Sequence, residues 1–376
     1  MQTMQKIPSQ PLETQQAEPS TTELLDQTIR NAVMVERLKA EEVQKFEKYL
    51  SLIDRLVREQ LTRKELTTYS RERLEDFLSR VDEKLLASYT EYNALVQADL
   101  VDIALYEAAF EARSLNAAFP GLGAVVPTNA VIRSSLSLAP LQVSGINGGK
   151  LLKTFFKGWT RAETSRVTNA IRVGFTQGQT NAQIVQAIRG TAAQNFTDGI
   201  LAVSERNARI IVNTAVQHAA STARMKTAKA NPDVISEVEM VSTLDRKTTP
   251  ICWYMDKKRF PANSGPRPLF HENCRTTFVF ITRLSEMFEK GATRAAVGAN
   301  GGGQVDASLQ YYSWLQTQPA SFQNTALGPV RGKLFRDGEL SPDKFAKLQL
   351  DKNFKPITLK QMQELEPDMF KRAGVK

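Results

Sequence analysis

The residues best suited to chemistry are two cysteines and two histidines, and three of the four lie close together. Cys252, His271 and Cys274 follow the spacing Cys-x18-His-x2-Cys. Thiolate and imidazole are zinc ligands, and two sulfurs with two imidazoles would close a tetrahedral site, with His218 as the fourth donor. Only the 271–274 half has tight ligand spacing. The same residues allow two other outcomes. Both cysteines could stay reduced and pack inside a small β element, as free cysteine commonly does. They could also pair as a disulfide after meeting an oxidising medium. His218 has no spacing relation to the other three and also reads as a packing histidine.

Catalytic readings use the same loop. A Cys252 or Cys274 nucleophile with His271 as base would make a cysteine hydrolase. Asp245, Asp256 and Glu272 could bind Mg²⁺ in a metal-dependent nuclease. Nothing marks an oxyanion hole, and such acids are common in loops. No P-loop, dinucleotide-binding glycine pattern or His-Glu-x-x-His motif occurs. The expectation is a protein that is not an enzyme and needs no cofactor, zinc excepted.

The elements around this loop predict its setting. VISEVEMVSTLD alternates apolar and polar residues, and TTFVFIT is β-branched and aromatic, so strands should flank the loop. Upstream, LLKTFFKGWTRAETSRVTNAIRVGFTQGQTNAQIVQAIRGT holds two helical patterns, with Thr180 or Asn181 as a cap between them. A further helix should start near Ser204. From Thr21 to Phe119 there is no Gly or Pro, and Val43, Phe46, Leu50, Ile53 and Val57 recur at helical steps. Two long helices folding back on each other is the simplest outcome.

The expected fold is therefore mainly α, with long N-terminal helices followed by an α+β domain carrying a small antiparallel β element. The expected organisation has six parts. Residues 1–20 form a flexible arm, 21–120 a helical docking domain and 121–150 a linker. An α+β domain spans 151–297, a Gly-rich linker 298–305 and a C-terminal extension 306–376.

Charge is unevenly placed. Residues 1–120 hold 15 Lys and Arg against 21 Asp and Glu, a net −6. Residues 121–376 hold 34 against 19, a net +15. The basic part suits a polyanion and the acidic part a protein partner. Lys153, Lys157, Arg161, Arg166, Arg172 and Arg189 are the candidate contacts to DNA. A helix-turn-helix reader of specific sites is the rival, with Gln179 to Gln186 as base contacts. A polar N-terminus and the lack of a long apolar run argue against a signal peptide or a membrane span. Two cysteines fit synthesis in reducing cytoplasm.

One resemblance unites these features. Leu244-Asp245-Arg246, Thr249 and Cys252, followed by Pro268 and His271-Glu272-Asn273-Cys274-Arg275, resemble the signature of the phage Mu F-like head morphogenesis family. That family typically shows Asp-Arg-x-Thr-Cys-x-x-Cys and later Pro-x-His-Pro-Asn-Cys-Arg-Cys. Ala208 to Thr214 is similar to the family's preceding helix, with Asn213 where Arg is common. Tyr312 to Pro319 and Leu327 to Gly338 are similar to the segment that often follows. Thr249 and Thr276 stand where two further cysteines are usual, and Glu272 where Pro is usual. Asp245, Arg246, Asn273 and Arg275 are the motif's structural residues. The resemblance implies a minor capsid protein of a tailed bacteriophage, inside the head near the portal, made in host cytoplasm. It implies a role in head assembly and in DNA packaging or ejection. Its partners would be the portal protein, the major capsid protein and packaged double-stranded DNA bound without sequence preference, with no membrane. The alternative is a DNA-binding protein acting on nucleic acid in the host cell.

Overall fold

A computed structural model of the protein describes residues 21–62, 71–283 and 292–375. The arm expected at 1–20 lies outside these residues. Two long helices open the fold, α1 (Thr21–Thr62) and α2 (Arg71–Ala118). They run antiparallel: Asn31 meets Glu107, Lys45 meets Asp99, and Tyr49 meets Glu91. The stripe read from sequence is their seam, with Val43, Phe46, Ile53 and Val57 all buried. Then come α3 (Asn129–Leu138), α4 (Leu152–Thr176), α5 (Asn181–Arg189) and α6 (Ile200–Ala230). Trp159 of α4 enters the seam and packs edge-on against Tyr89, with Phe46 and Tyr92 completing the cluster. Each such pair contributes on the order of 1 kcal/mol beyond its buried area.

The centre of the fold is α6. Its Ala215, Ala219, Ala220 and Ala223 are buried, and side chains this small let α1 and α2 pack closely. A three-stranded antiparallel sheet follows, in the order β2-β1-β3: β1 (Ile235–Val241), β2 (Arg259–Pro261) and β3 (Thr277–Thr282). Between β1 and β2 sits the short helix α7 (Pro250–Met255). The mainly α fold with a small antiparallel β element is as the sequence predicts.

Three boundaries differ from expectation. Residues 121–150 are more than a linker. Thr128 caps α3, Ile132 and Leu136 are buried, and the Asn231 side chain clamps the Val125 backbone at both N and O. Residues 298–305 are no linker either. They turn between β4 (Thr293–Gly298) and β5 (Gly301–Asp306), an antiparallel hairpin. Ala299 and Asn300 form its tip, and Gly301 follows with φ +97°. A glycine tolerates that conformation, so a glycine run here marks a turn. The helix expected to start at Ser204 begins one turn earlier, at Ile200. Ser204 is instead buried, its hydroxyl 2.6 Å from Glu163. Thr180 does cap α5, in a reciprocal capping box with Gln183.

One continuous core runs from Leu24 in α1 to Ala307, so 21–120 and 151–297 share their interior. Arg224 on α6 joins them electrostatically. It pairs with Glu107 and Glu111 of α2 and donates to the Phe278 carbonyl of β3 at 2.7 Å. All three ionic side chains are at most 3% exposed. Removing one partner of such a group typically costs about 3–5 kcal/mol.

The C-terminal extension folds as six short helices: α8 (Tyr311–Gln316), α9 (Ala320–Leu327), α10 (Pro329–Asp337), α11 (Pro342–Lys347), α12 (Leu359–Leu365) and α13 (Pro367–Arg372). They enclose a second aromatic core of Tyr312, Trp314, Phe335, Phe345 and Phe370, which reaches Trp253 on α7. No helix among the described residues is long and apolar enough to cross a membrane.

His218 lies on α6 beside Ala139, whose carbonyl it bonds. Burial pushes its pKa down from 6.5 to about 4. The unfolded chain therefore takes up a proton at a pH where the folded chain does not. Stability falls as pH drops from about 6.5 toward 4, by about 2 kcal/mol at pH ~5. His218→Gln should remove this component. Denaturant melts of both proteins between neutral pH and pH ~5 should diverge by that amount, whereas parallel curves refute the assignment.

Candidate functional site

Three sequence candidates converge. Cys252 Sγ lies 3.2 Å from His271 Nε2 and 3.8 Å from Cys274 Sγ. All three donor atoms fall within 4.8 Å of one another. His218, the fourth candidate, is not among them. The sulfurs stand well beyond the ~2.05 Å of a disulfide bond, so both cysteines are free thiols here. Cys252 and Cys274 are buried, and His271 is half-buried.

Local chemistry explains each position. Pro250 starts α7 at a point where its missing N–H is harmless, which places Cys252 on the first turn. Ser242, just past β1, donates its hydroxyl to the Cys252 carbonyl at 2.8 Å. Asp245 organises the turn before α7, accepting from Lys247 N, Thr248 N and the Thr248 hydroxyl. Arg275 then grips the same carboxylate with two nitrogens, at 2.6 and 2.9 Å. This pair ties the turn at 245 to the loop at 275. Arg246, named with the motif, is exposed.

The loop carrying His271 and Cys274 hangs from α6. Thr214 accepts from Asn273 N at 2.9 Å, and Asn213 donates to the Asn273 side chain at 2.7 Å. Gln217 donates to the Thr276 carbonyl at 3.0 Å, and Ser221 bonds the Pro268 carbonyl. Residues 214, 217, 221 and 224 form one helical stripe, and each holds a point between 268 and 278. Lys39 of α1 completes the frame. It is buried and bonds Glu36, Gln217 and, at 3.4 Å, the Cys274 carbonyl. Sequence reading missed this stripe and Lys39. Polar residues recurring at helical steps in an alanine-rich helix were the available signal.

Asn273 has φ +59°, a left-handed turn that asparagine tolerates better than most residues. Glu272, in place of the family proline, has a use: its carboxylate accepts from Asn147. Its carbonyl lies 2.7 Å from His271 Nδ1. A carbonyl can only accept, so Nδ1 carries a proton and Nε2 is the nitrogen that faces the sulfurs.

Charge at the site is coupled. Burial pushes the Cys252 thiol up, and the neighbouring Cys274 adds to this. Burial opposes ionisation of Cys274 too. Hydrogen bonds from Cys252 and His271, with the positive imidazole, outweigh it and hold Cys274 well below the usual thiol range. Burial would lower His271, but Cys274 raises it on balance. At Asp245 burial opposes the charge, yet Arg275 and the turn's donors keep the carboxyl below its usual range. A polar cleft of about 380 Å³ opens over Cys252 and His271, lined also by Glu36, Asn213, Lys247 and Thr249.

The basic candidates divide. Lys153, Lys157 and Arg161 recur every four residues along one exposed face of α4 and have no ion-pair partner among the described residues. Arg172 is bound to Glu75 at 2.8 Å, and Arg166 leans on Glu163 at 3.4 Å. Arg189 lies over the Phe196 ring. The would-be reader helix α5 buries Ile184 and Ile188, and Gln183 is occupied by its cap.

Residues 165–279 match the family described as Phage Mu protein F like protein. This segment belongs to that family. The Mu F-like segment runs from mid-α4 to β3, so it holds α6, α7 and all three site residues. It points to a bacteriophage head morphogenesis protein. No curated protein and no solved structure matches the chain.

The left-handed turn at Asn273 sets a ranking. Asn273→Ala should destabilise by about 1–2 kcal/mol, while Asn273→Gly, which loses more side chain, should cost less. Chemical denaturation decides; a glycine variant weaker than the alanine variant refutes the role of the turn.

Proposed function

We propose that this protein is a minor head component of a tailed bacteriophage. It works inside the head near the portal, assisting assembly and the packaging or ejection of DNA. The observation that carries the reading is the Mu F-like match at 165–279, covering the helix and loop that build the site. The surrounding geometry supports a role in holding shape. Asp245, Arg275, Asn273 and the α6 stripe are fully engaged in bracing one loop. None is left facing the cleft as a free acid or base.

In this reading the exposed face of α4 meets the genome. Lys153, Lys157 and Arg161 attract phosphate without reading bases. The portal or major capsid protein meets another face. The N-terminal helices offer a less acidic surface than their net charge implies, because Glu42, Glu107 and Glu111 are buried. Exposed acids such as Glu41, Glu47 and Glu83 alternate there with Arg37, Lys48 and Lys84. A sequence-specific reader acting in the host cell would have to present α5, whose Gln183 is engaged in the helix cap.

Mass spectrometry of purified virions, before and after DNA release, should find the chain in full particles at low copy. Its absence from virions and precursor heads would end the proposal. At low salt the purified protein should bind duplex DNA regardless of sequence. Replacing Lys153, Lys157 and Arg161 together with Gln should lower the slope of log affinity against log salt by about 2–3. An unchanged slope would remove α4 from the DNA contact.

A further inference from the structure

We propose that Cys252, His271 and Cys274 bind one zinc ion, and that its fourth coordination position opens on the cleft.

The geometry is that of a preformed site. With Zn–S near 2.3 Å and Zn–N near 2.0 Å, a tetrahedron has an S···S edge of roughly 3.8 Å and an S···N edge of roughly 3.5 Å. The structure shows 3.8 Å between the sulfurs and 3.2 Å from Cys252 Sγ to His271 Nε2. The histidine is already oriented. Its Nδ1 faces the Glu272 carbonyl, as in zinc sites where an outer acceptor fixes the ring. Binding displaces whatever protons the two sulfurs and the facing ring nitrogen carry, and leaves two thiolates that balance the ion's charge.

The three donors are unequally placed. Cys274 is fully buried behind the site, whereas Cys252 and His271 line the cleft. The remaining vertex therefore points to the cleft, where water or a small anion can reach it. Thr249 marks that side. It stands three residues before Cys252, at the N-cap of α7, and makes no capping bond. Its hydroxyl oxygen is buried without a hydrogen bond of ordinary geometry. Three protein ligands with an exchangeable fourth make a site that can also take a donor from a docking partner.

The test uses the full chain, reduced, stripped of metal and reloaded. Elemental analysis should find one zinc per chain, and Cys252→Ser or Cys274→Ser should weaken binding by more than ~100-fold. Cobalt(II) in place of zinc reads the geometry without relying on those variants folding. It should give tetrahedral visible bands and a thiolate-to-cobalt band in the near ultraviolet. Azide should shift the visible bands by taking the fourth position. Thr249→Cys should tighten binding and abolish the azide response. No metal uptake by the reduced chain overturns the proposal, as does a cobalt spectrum indifferent to azide in the unaltered protein. Neither result bears on whether the chain resides in phage heads, so the two readings fail separately.

Discussion

A helix buried on almost every side must find partners for its polar groups, and α6 meets that demand by holding a loop. An unsatisfied buried donor or acceptor costs about 1–3 kcal/mol. Thr214, Gln217, Ser221 and Arg224 avoid it by bonding residues between Asn273 and Phe278, and the Pro268 carbonyl. The loop gains as much as the helix. Its own carbonyls have no sheet to join before β3 begins, and α6 supplies their donors. Register along α6 therefore sets where His271 and Cys274 sit. A displacement of one helical turn would misplace every contact at once.

The same helix fuses the N-terminal hairpin to the Mu F-like segment. Its alanine face admits α1 and α2, and Arg224 fixes them in one arrangement through Glu107 and Glu111. A buried charge group is weak evidence of stability, since an apolar replacement can do as well. Its stronger consequence is geometric, because each ionic partner has one place where its charge is met. Lys39 extends the constraint from α1 to the Cys274 carbonyl. Long helices and cysteine loop thus form one body. A partner docking on the helices would press directly on the frame of the site.

The departures from the family pattern follow the same physics. Thr276 is buried where a cysteine is usual, and its hydroxyl lies 3.1 Å from that of Ser242, so it still ties α7 to the loop. Glu272 replaces a proline and recruits Asn147 from the connector to brace the loop. Thr249 has no such compensation. Two of the three substitutions became parts of the scaffold, and the third leaves a polar atom facing the sulfurs.

Much was determined by sequence alone, for reasons of periodicity and local chemistry. The glycine-free run from 21 to 119, with apolar residues at helical steps, admits little besides long helices. Alternation in ISEVEMV and branching in TFVFIT imply strands, and Thr180 or Asn181 announces a helix cap. The convergence of Cys252, His271 and Cys274 was open as a spacing argument, because both ends of the loop join elements of one sheet. Other features were invisible. Glycines at 301–303 read as a linker, whereas the pairing of Arg294 with buried Asp256 and the bond from Val297 N to the Leu244 carbonyl show an anchored hairpin. Net charge could not reveal that Glu107 and Glu111 face inward, or that Arg172 is already bound. The exclusion of His218 and the arrival of Lys39 beside Cys274 depend on how α6 rolls against α1. That rotation is set by packing among residues far apart in the chain, and no local pattern encodes it.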